Sequence, residues 1–497
     1  MKEMLANIDK QNKYLIATIG LFCFLIYVFF LFFRPQESWC DDAFWADWAR
    51  QLAVHNRYYT TVWGFGHPSY CPLYVFLMAG WYKIVGFSFF SAQFPNIFLV
   101  LVTYWGLMII LTERKYIVHW QAVVGFSALY WFTPSMCWIY NCGRIEVLCM
   151  LLGFLTIYSF VKAIENDKNK YKIELFIFGL LLFATGVEGV VFATLSILLY
   201  SIYNWRHVWT KKIVYLWHFG SYVASLGILG IITWRTHCLH QFFDTMFGFS
   251  KTFSSAYLYI RAIVKGAKHG DFAIDSVNYQ SIPKPSMLQS IMDGYTMNLE
   301  YLFLIVIVII LLAIYLWNTI RSKNTNKTVL IIASIAIVTP LVYVLAGRYV
   351  SYYAWAAYIP CIIATILLLE QMHVQWLHLC LGSLMVIWFL FSPTNRVLKS
   401  LDFTHHKDKQ NKKDICAVAI DPNVPTVIPY SWYYYVVEDN ENIYFQASGL
   451  YPNDLGVIIY APYEYNEEQF MKRYELKERC KIGNKIVYDI LSHKNEE

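Results

Sequence analysis

Between Tyr14 and Phe33 the chain carries no charged residue. In a helix, about 20 residues at about 1.5 Å each span about 30 Å, the thickness of a bilayer's hydrocarbon core. Such a run predicts a membrane-spanning helix. Lys2, Lys10 and Lys13 precede it, and the bias of basic residues toward the cytoplasm puts the N-terminus inside. The exit, Arg34-Pro35-Gln36-Glu37-Ser38, has no small-residue cleavage pattern, so the helix is expected to be retained. Asp41 and Asp42 then emerge on the outer face beside Phe44, Trp45 and Trp48. Carboxylates held there among aromatics point to a site that works on lipid-borne substrates. The alternative is that Asp41 only caps the helix that follows.

The first run is one of many. The chain is 58% hydrophobic and 15% charged, against about 25% charged in soluble domains. This excludes a soluble enzyme with a single anchor. About eleven spans are expected from length and charge bias, at 14–33, 91–111, 117–134, 145–163, 172–186, 189–204, 212–233, 299–320, 328–346, 350–370 and 375–392. The inner loops then hold Arg114 and Lys115; Lys162, Lys168, Lys170 and Lys172; Arg206, Lys211 and Lys212; and Arg321, Lys323 and Lys327. The net charge of +6 is thereby a topology signal, and no nucleic-acid partner is expected. The outer loops hold mostly arginine: Arg34, Arg50, Arg57, Arg144 and Arg348. Arginine on the disfavoured side is a candidate ligand for phosphate.

Tyr70–Gly86 is hydrophobic enough to span, but crossing there would invert every later loop. It is therefore expected to lie along the outer membrane surface. In Asp41–Val54, Phe44, Trp45, Trp48, Ala49 and Leu52 share one helical face, and Asp47, Arg50 and Gln51 the other, which predicts a second interfacial helix. The expected architecture is an α-helical polytopic membrane domain over 1–393, with large outer loops at 34–90 and 234–298, followed by a small extracytoplasmic α/β domain over 394–497. In that tail Ile415–Ile420, Gly456–Tyr460 and Ile482–Leu491 read as β-like, and Ser431–Val437 and Glu467–Tyr474 as helix-like. The eleven cysteines fall mostly in spans, and disulfides in the outer regions are permitted but not implied.

Each polar candidate has two readings. Arg50 binds phosphate or pairs with Asp47 along its helix. His67 belongs to a site or structures the turn before Pro68. Arg144 and Glu146, at a span entrance, anchor at the interface or act, since a carboxylate entering the membrane is costly and usually functional. Glu188 is solvated at a hairpin tip or points into a cavity. His237, His240 and Asp244 have spacing open to a metal, but a solvated helix face explains them as well, and no metal or cofactor is expected.

The order of these motifs carries a resemblance. Asp41-Asp42-Ala43-Phe44-Trp45 is followed by Arg50, by His67-Pro68-Ser69-Tyr70-Cys71-Pro72-Leu73-Tyr74, and by a hydrophobic run ending Val85-Gly86. Further on come Gly143-Arg144-Ile145-Glu146, Gly186-Val187-Glu188-Gly189, and Gly347-Arg348-Tyr349 through Tyr352-Tyr353 to Pro360. Over roughly residues 14–400 this resembles the GT-C glycosyltransferases, in particular the group of protein O-mannosyltransferases and lipid A aminoarabinose transferases. Their first outer loop typically opens Asp-Glu-Ala-x-Tyr, so Asp42 stands where the family has Glu; the Lys frequent near their hairpin is absent here.

The resemblance implies a GT-C fold in the plasma (inner) membrane. It implies transfer of a monosaccharide, with inversion, from a polyprenyl-phosphate-linked donor to a glycan, glycolipid or protein acceptor on the outer face. Asp41 takes the place of the general base, and Asp42 orients the acceptor or shares that role. Arg50, His67, Arg144, Glu146, Glu188 and Arg348 are the donor or substrate candidates. A transporter or flippase of lipid-linked sugars, or an inactive scaffold of the same fold, are the alternatives; a transporter more often shows internal repeats, and none is visible.

Overall fold

A computed structural model describes residues 2–33, 42–58, 72–235, 299–322, 326–345 and 355–372, several segments within 421–493, and isolated positions between. It is mostly helical. The helices are α1 (Lys2–Phe33), α2 (Asp42–His55), α3 (Pro72–Val85), α4 (Phe89–Glu113), α5 (Trp120–Phe132), α6 (Pro134–Asn141), α7 (Glu146–Asn166), α8 (Asn169–Phe183), α9 (Val187–Tyr203), α10 (Trp205–Trp209), α11 (Ile213–Arg235), α12 (Leu299–Ser322), α13 (Lys327–Leu345), α14 (Trp355–Met372) and the short α15 (Tyr433–Val436). Every expected span up to 350–370 falls on a helix; 375–392 lies outside the described residues, as does the boundary at 393/394.

By length and composition, five helices among the described residues can cross a membrane: α1, α4, α7, α11 and α12. The protein is an integral membrane protein. α9, α13 and α14 are apolar but shorter. α5 and α8, expected as spans, are shorter still. Pro134 ends the first, because a proline cannot continue the hydrogen-bond ladder, and the Thr185–Gly186 turn ends the second.

Contacts between loops sort the molecule into two ends. Arg114, after α4, makes a bidentate pair with Glu165 of α7 at 2.8 and 2.7 Å. The Tyr116 hydroxyl bonds Thr328 Oγ1 of α13 at 3.1 Å, and Lys172 pairs with Asp167 at 2.8 Å. Loops expected to share a membrane face on charge grounds are thus gathered at one end. Near it lies a cavity of about 340 Å³ lined by Leu107, Ile157, Phe192, Ile335 and Ile363, with Arg114 at its edge.

At the opposite end α2 and α3 pack on the start of α7 and on a five-stranded sheet. The strands are β1 (Thr426–Ile428), β2 (Ile443–Phe445), β3 (Val457–Tyr460), β4 (Tyr474–Ile482) and β5 (Ile486–His493), in the order β2-β1-β3-β5-β4. β1 is parallel to β2 and β3, while β5 is antiparallel to β3 and β4. The expected β-like run 482–491 divides between the end of β4 and β5. β4 itself, Tyr-Glu-Leu-Lys-Glu-Arg-Cys-Lys-Ile, was not expected as a strand, because its Glu, Lys and Arg favour helix and only pairing along β5 overrides them. The runs 415–420 and 467–473 lie outside the described residues.

One core joins these parts. It contains Trp45 and Trp48 of α2, Tyr74, Val75, Met78 and Tyr82 of α3, Leu148 of α7, and Ile428, Trp432, Tyr433 and Ile459 of the sheet domain. α3 packs along much of its length on the same core as the sheet. α2 differs from its expected amphipathic form. Asp47, Arg50 and Gln51, on its polar face, are buried; Tyr433 of the tail meets Asp47, and Phe87 lies against Arg50.

Candidate active site

The site grows from the loop between α6 and α7. Asn96 sits in the apolar helix α4, and its side-chain amide donates to the carbonyls of Cys142 and, at 2.7 Å, of Arg144. Between those two residues, Gly143 lies so close to α4 that a Cβ there would come within 2.9 Å of the Ala92 carbonyl oxygen. Backbone bonds and close approach together fix where Arg144 enters the interior.

The Arg144 guanidinium is buried between two carboxylates. Its Nε lies 3.2 Å from both oxygens of Glu146, and a terminal nitrogen lies 3.0 Å from Glu146 Oε1. Its Nε is also 3.8 Å from Asp42 Oδ1. Asp42 opens α2 and Glu146 opens α7, so each carboxylate sits at a helix N-terminus, where the backbone dipole favours negative charge. Asp42, Arg144 and Glu146 are only 1–3% exposed. A buried arginine between two carboxylates is held in one geometry.

Glu188, in the first turn of α9, lies beside this group. Its Oε1 accepts from the Cys149 thiol at 3.4 Å, and its backbone carbonyl accepts from the Tyr343 hydroxyl at the end of α13. The residue is half-buried there. Among the described residues, Asp42 and Glu146 thus flank the guanidinium directly, and Glu188 lies within electrostatic reach of Glu146 and Arg144.

Arg50 does not join them. Its guanidinium is 3.9 Å from Asp47 Oδ1 and 5.8 Å from the centre of the Phe87 ring. The helix pair with Asp47 is present, and the cation faces an aromatic wall. The Tyr433 hydroxyl donates to the same Asp47 oxygen at 2.7 Å. Burial, then the neighbouring Asp47, pushes that hydroxyl well above the ordinary phenol range, so it stays protonated.

Asp41, His67 and Arg348 lie outside the described residues, as do His237, His240 and Asp244. Among the described residues no group of His, Cys, Asp or Glu has the arrangement of a metal site. Sequence reasoning missed Asn96, Cys142, Tyr74, Tyr82 and Tyr433. A signal existed for Asn96, since a polar amide within an apolar span needs a reason. The tyrosines carried none, being ordinary members of aromatic stretches.

A polytopic helical bundle with a buried acid–arginine cluster at one end is the class these observations define. Residues 66–234 match the family described as dolichyl-phosphate-mannose-protein mannosyltransferase. That segment holds Arg144, Glu146 and Glu188 and stops short of Asp41, Asp42, Arg50 and Arg348, so the resemblance read from the motifs is met over α3 to α11. The crystal structure of ArnT from Cupriavidus metallidurans bound to undecaprenyl phosphate is similar with a TM-score of 0.44 at 9% identity, over 97% of this chain and 98% of that one. A likeness that low carries no argument of its own. No curated protein matches by sequence.

Proposed function

We propose that the protein is an integral-membrane glycosyltransferase that moves a monosaccharide from a polyprenyl-phosphate-linked donor to an acceptor on the outer face, with inversion. The observation that supports this best is the buried Arg144 between Asp42 and Glu146, inside or beside a segment matching a mannosyltransferase family that takes a dolichyl-phosphate-linked sugar.

In the reaction, an acceptor O–H gives its proton to a carboxylate as its oxygen attacks the anomeric carbon. The bond from that carbon to the phosphate oxygen breaks on the opposite side, and the lipid phosphate leaves with the electron pair. Asp41 is the proton acceptor in this reading, adjacent in sequence to the anchored Asp42. The leaving phosphate needs positive charge. Arg348 and Arg144 are the arginines assigned to it, while Arg50 serves the wall of α2. The N-terminus is cytoplasmic, and the domain from 394 lies outside, on the inner (plasma) membrane of the cell.

The test is a comparison of envelope glycans, glycolipids and glycoproteins from cells with and without the protein, by mass. One missing sugar, restored by the wild-type chain, is the expected result. Unchanged glycans, together with no transfer from any polyprenyl-phosphate sugar by purified protein, overturn the proposal.

A further inference from the structure

Helix α3 places Tyr74, Met78 and Tyr82 on one face at a spacing of four residues. All three are buried. The two phenol hydroxyls have no hydrogen-bond partner among the described residues. A buried polar atom left unbonded costs stability, and phenylalanine would fill the same space without that cost. Two such hydroxyls on one helix face are a site that something else completes.

Their surroundings say what completes it. The Tyr74 ring meets Trp45 edge-on at 6.3 Å. The Tyr82 ring meets Phe87 edge-on at 5.1 Å, and Tyr434 of the sheet domain stacks on Phe87 at 5.8 Å and 13°. Burial, with smaller effects from Tyr82, Asp42 and Glu146, holds the Tyr74 hydroxyl well above the ordinary phenol range. Tyr434, half-buried, is raised by burial and then by Tyr82, Asp42 and Tyr74. These phenols are neutral, and the charges that reach them come from the cluster at Arg144. A neutral hydroxyl both donates and accepts. It matches another hydroxyl, whereas a phosphate calls for cations.

We propose that Tyr74 and Tyr82, together with Tyr434, form a subsite that reads the hydroxyl groups of a polyol beside the Asp42–Arg144–Glu146 cluster. The polyol is the sugar of the lipid-linked donor or a sugar unit of the acceptor. The assignment rests on the glycosyltransferase reading for its place in the reaction, but the binding chemistry stands on the tyrosines alone. It also gives the sheet domain a part in the site, through Tyr434.

Full-length protein in detergent is titrated with three kinds of probe, read by tryptophan fluorescence. These are undecaprenyl phosphate, the same lipid phosphate carrying a hexose or pentose, and methyl glycosides of those sugars. The Tyr74→Phe/Tyr82→Phe double variant and Tyr434→Phe keep shape, and a thermal melt confirms folding. If the subsite reads the donor, the double variant binds the sugar-bearing lipid at least about tenfold more weakly, the scale of one or two lost hydrogen bonds, and binds the bare lipid phosphate as wild type does. If it reads the acceptor, both lipids bind as before and only the methyl glycosides weaken. Polyol binding unchanged in the double variant, or absent from wild type, overturns the subsite. Wild type that binds methyl glycosides through these tyrosines but neither lipid keeps the subsite and overturns the lipid-donor reading instead.

Discussion

The hydroxyl of Tyr433 donates to Asp47 Oδ1 at 2.7 Å, joining residues 386 positions apart. Through it the sheet domain is tied to the helix that Asp42 opens. Asp47 also has Arg50 at 3.9 Å, so a buried carboxylate is shared by a neutral donor and a cation. Tyr433→Phe removes one oxygen and leaves Asp47 short of a donor. A hydrogen bond to a charged group contributes about 1.5–3 kcal/mol, and a loss of that size is expected in denaturant or thermal unfolding in detergent. Limited proteolysis should cut the tail faster. A variant as stable and as resistant as wild type would show that the two domains do not depend on this bond.

Arg144 lies between Asp42 and Glu146. Arg144→Gln takes the guanidinium away from two buried carboxylates, and breaking such a pair costs about 3–5 kcal/mol. Glu146→Gln in the same background should recover part of that loss. A double-mutant cycle is expected to give a coupling of about 1 kcal/mol or more, and simple additivity within about 0.5 kcal/mol speaks against direct pairing.

Gly143 tests the loop. A Cβ there would meet the Ala92 backbone at 2.9 Å, and a backbone atom cannot swing away. Gly143→Ala should destabilise by about 1–3 kcal/mol through overpacking and shift Arg144. Gly80, in α3, has nothing within 4 Å of its would-be Cβ. Gly80→Ala should be neutral or stabilising by up to about 1 kcal/mol. Equal effects at the two positions refute the packing argument.

Asp41→Asn keeps size and much of the capping ability while removing the carboxylate proposed as proton acceptor. The expected fall in sugar transfer is about 10²-fold or more, with folding and insertion intact. Asp42→Asn disturbs the contact with Arg144 and should be milder in turnover if Asp42 only orients. Near-normal transfer by Asp41→Asn would move the base to Asp42 or Glu146.

Topology is checked with single cysteines. A membrane-impermeant thiol reagent applied from outside should label a cysteine placed at Asn453 and spare one at Lys168, in the loop between α7 and α8. The reverse pattern would put the Asp42–Arg144 end of the molecule in the cytoplasm.

Span positions were readable in the sequence because hydrophobic length and loop charge are local properties. The ranges around 91–111, 145–163 and 212–233 needed nothing beyond about 20 apolar residues and flanking lysine or arginine. Arg144 and Glu146 were readable as candidates for a related reason: ionised groups at a span entrance are costly enough to need a purpose.

Their partners were not readable. Nothing local says that Arg144 meets Asp42, or that Asp47 on α2's polar face meets Tyr433 from the far end of the chain. A helix's amphipathic pattern tells which residues avoid lipid, and leaves open whether water, headgroups or protein receive them. β4 shows the same limit, since its glutamates and lysines favour a helix until β5 supplies backbone partners. The chain's own composition and periodicity determined a membrane bundle with a polar tail and a handful of charged candidates. Tertiary packing decided which candidates share a site, because burial of charge is permitted only where a distant residue compensates it.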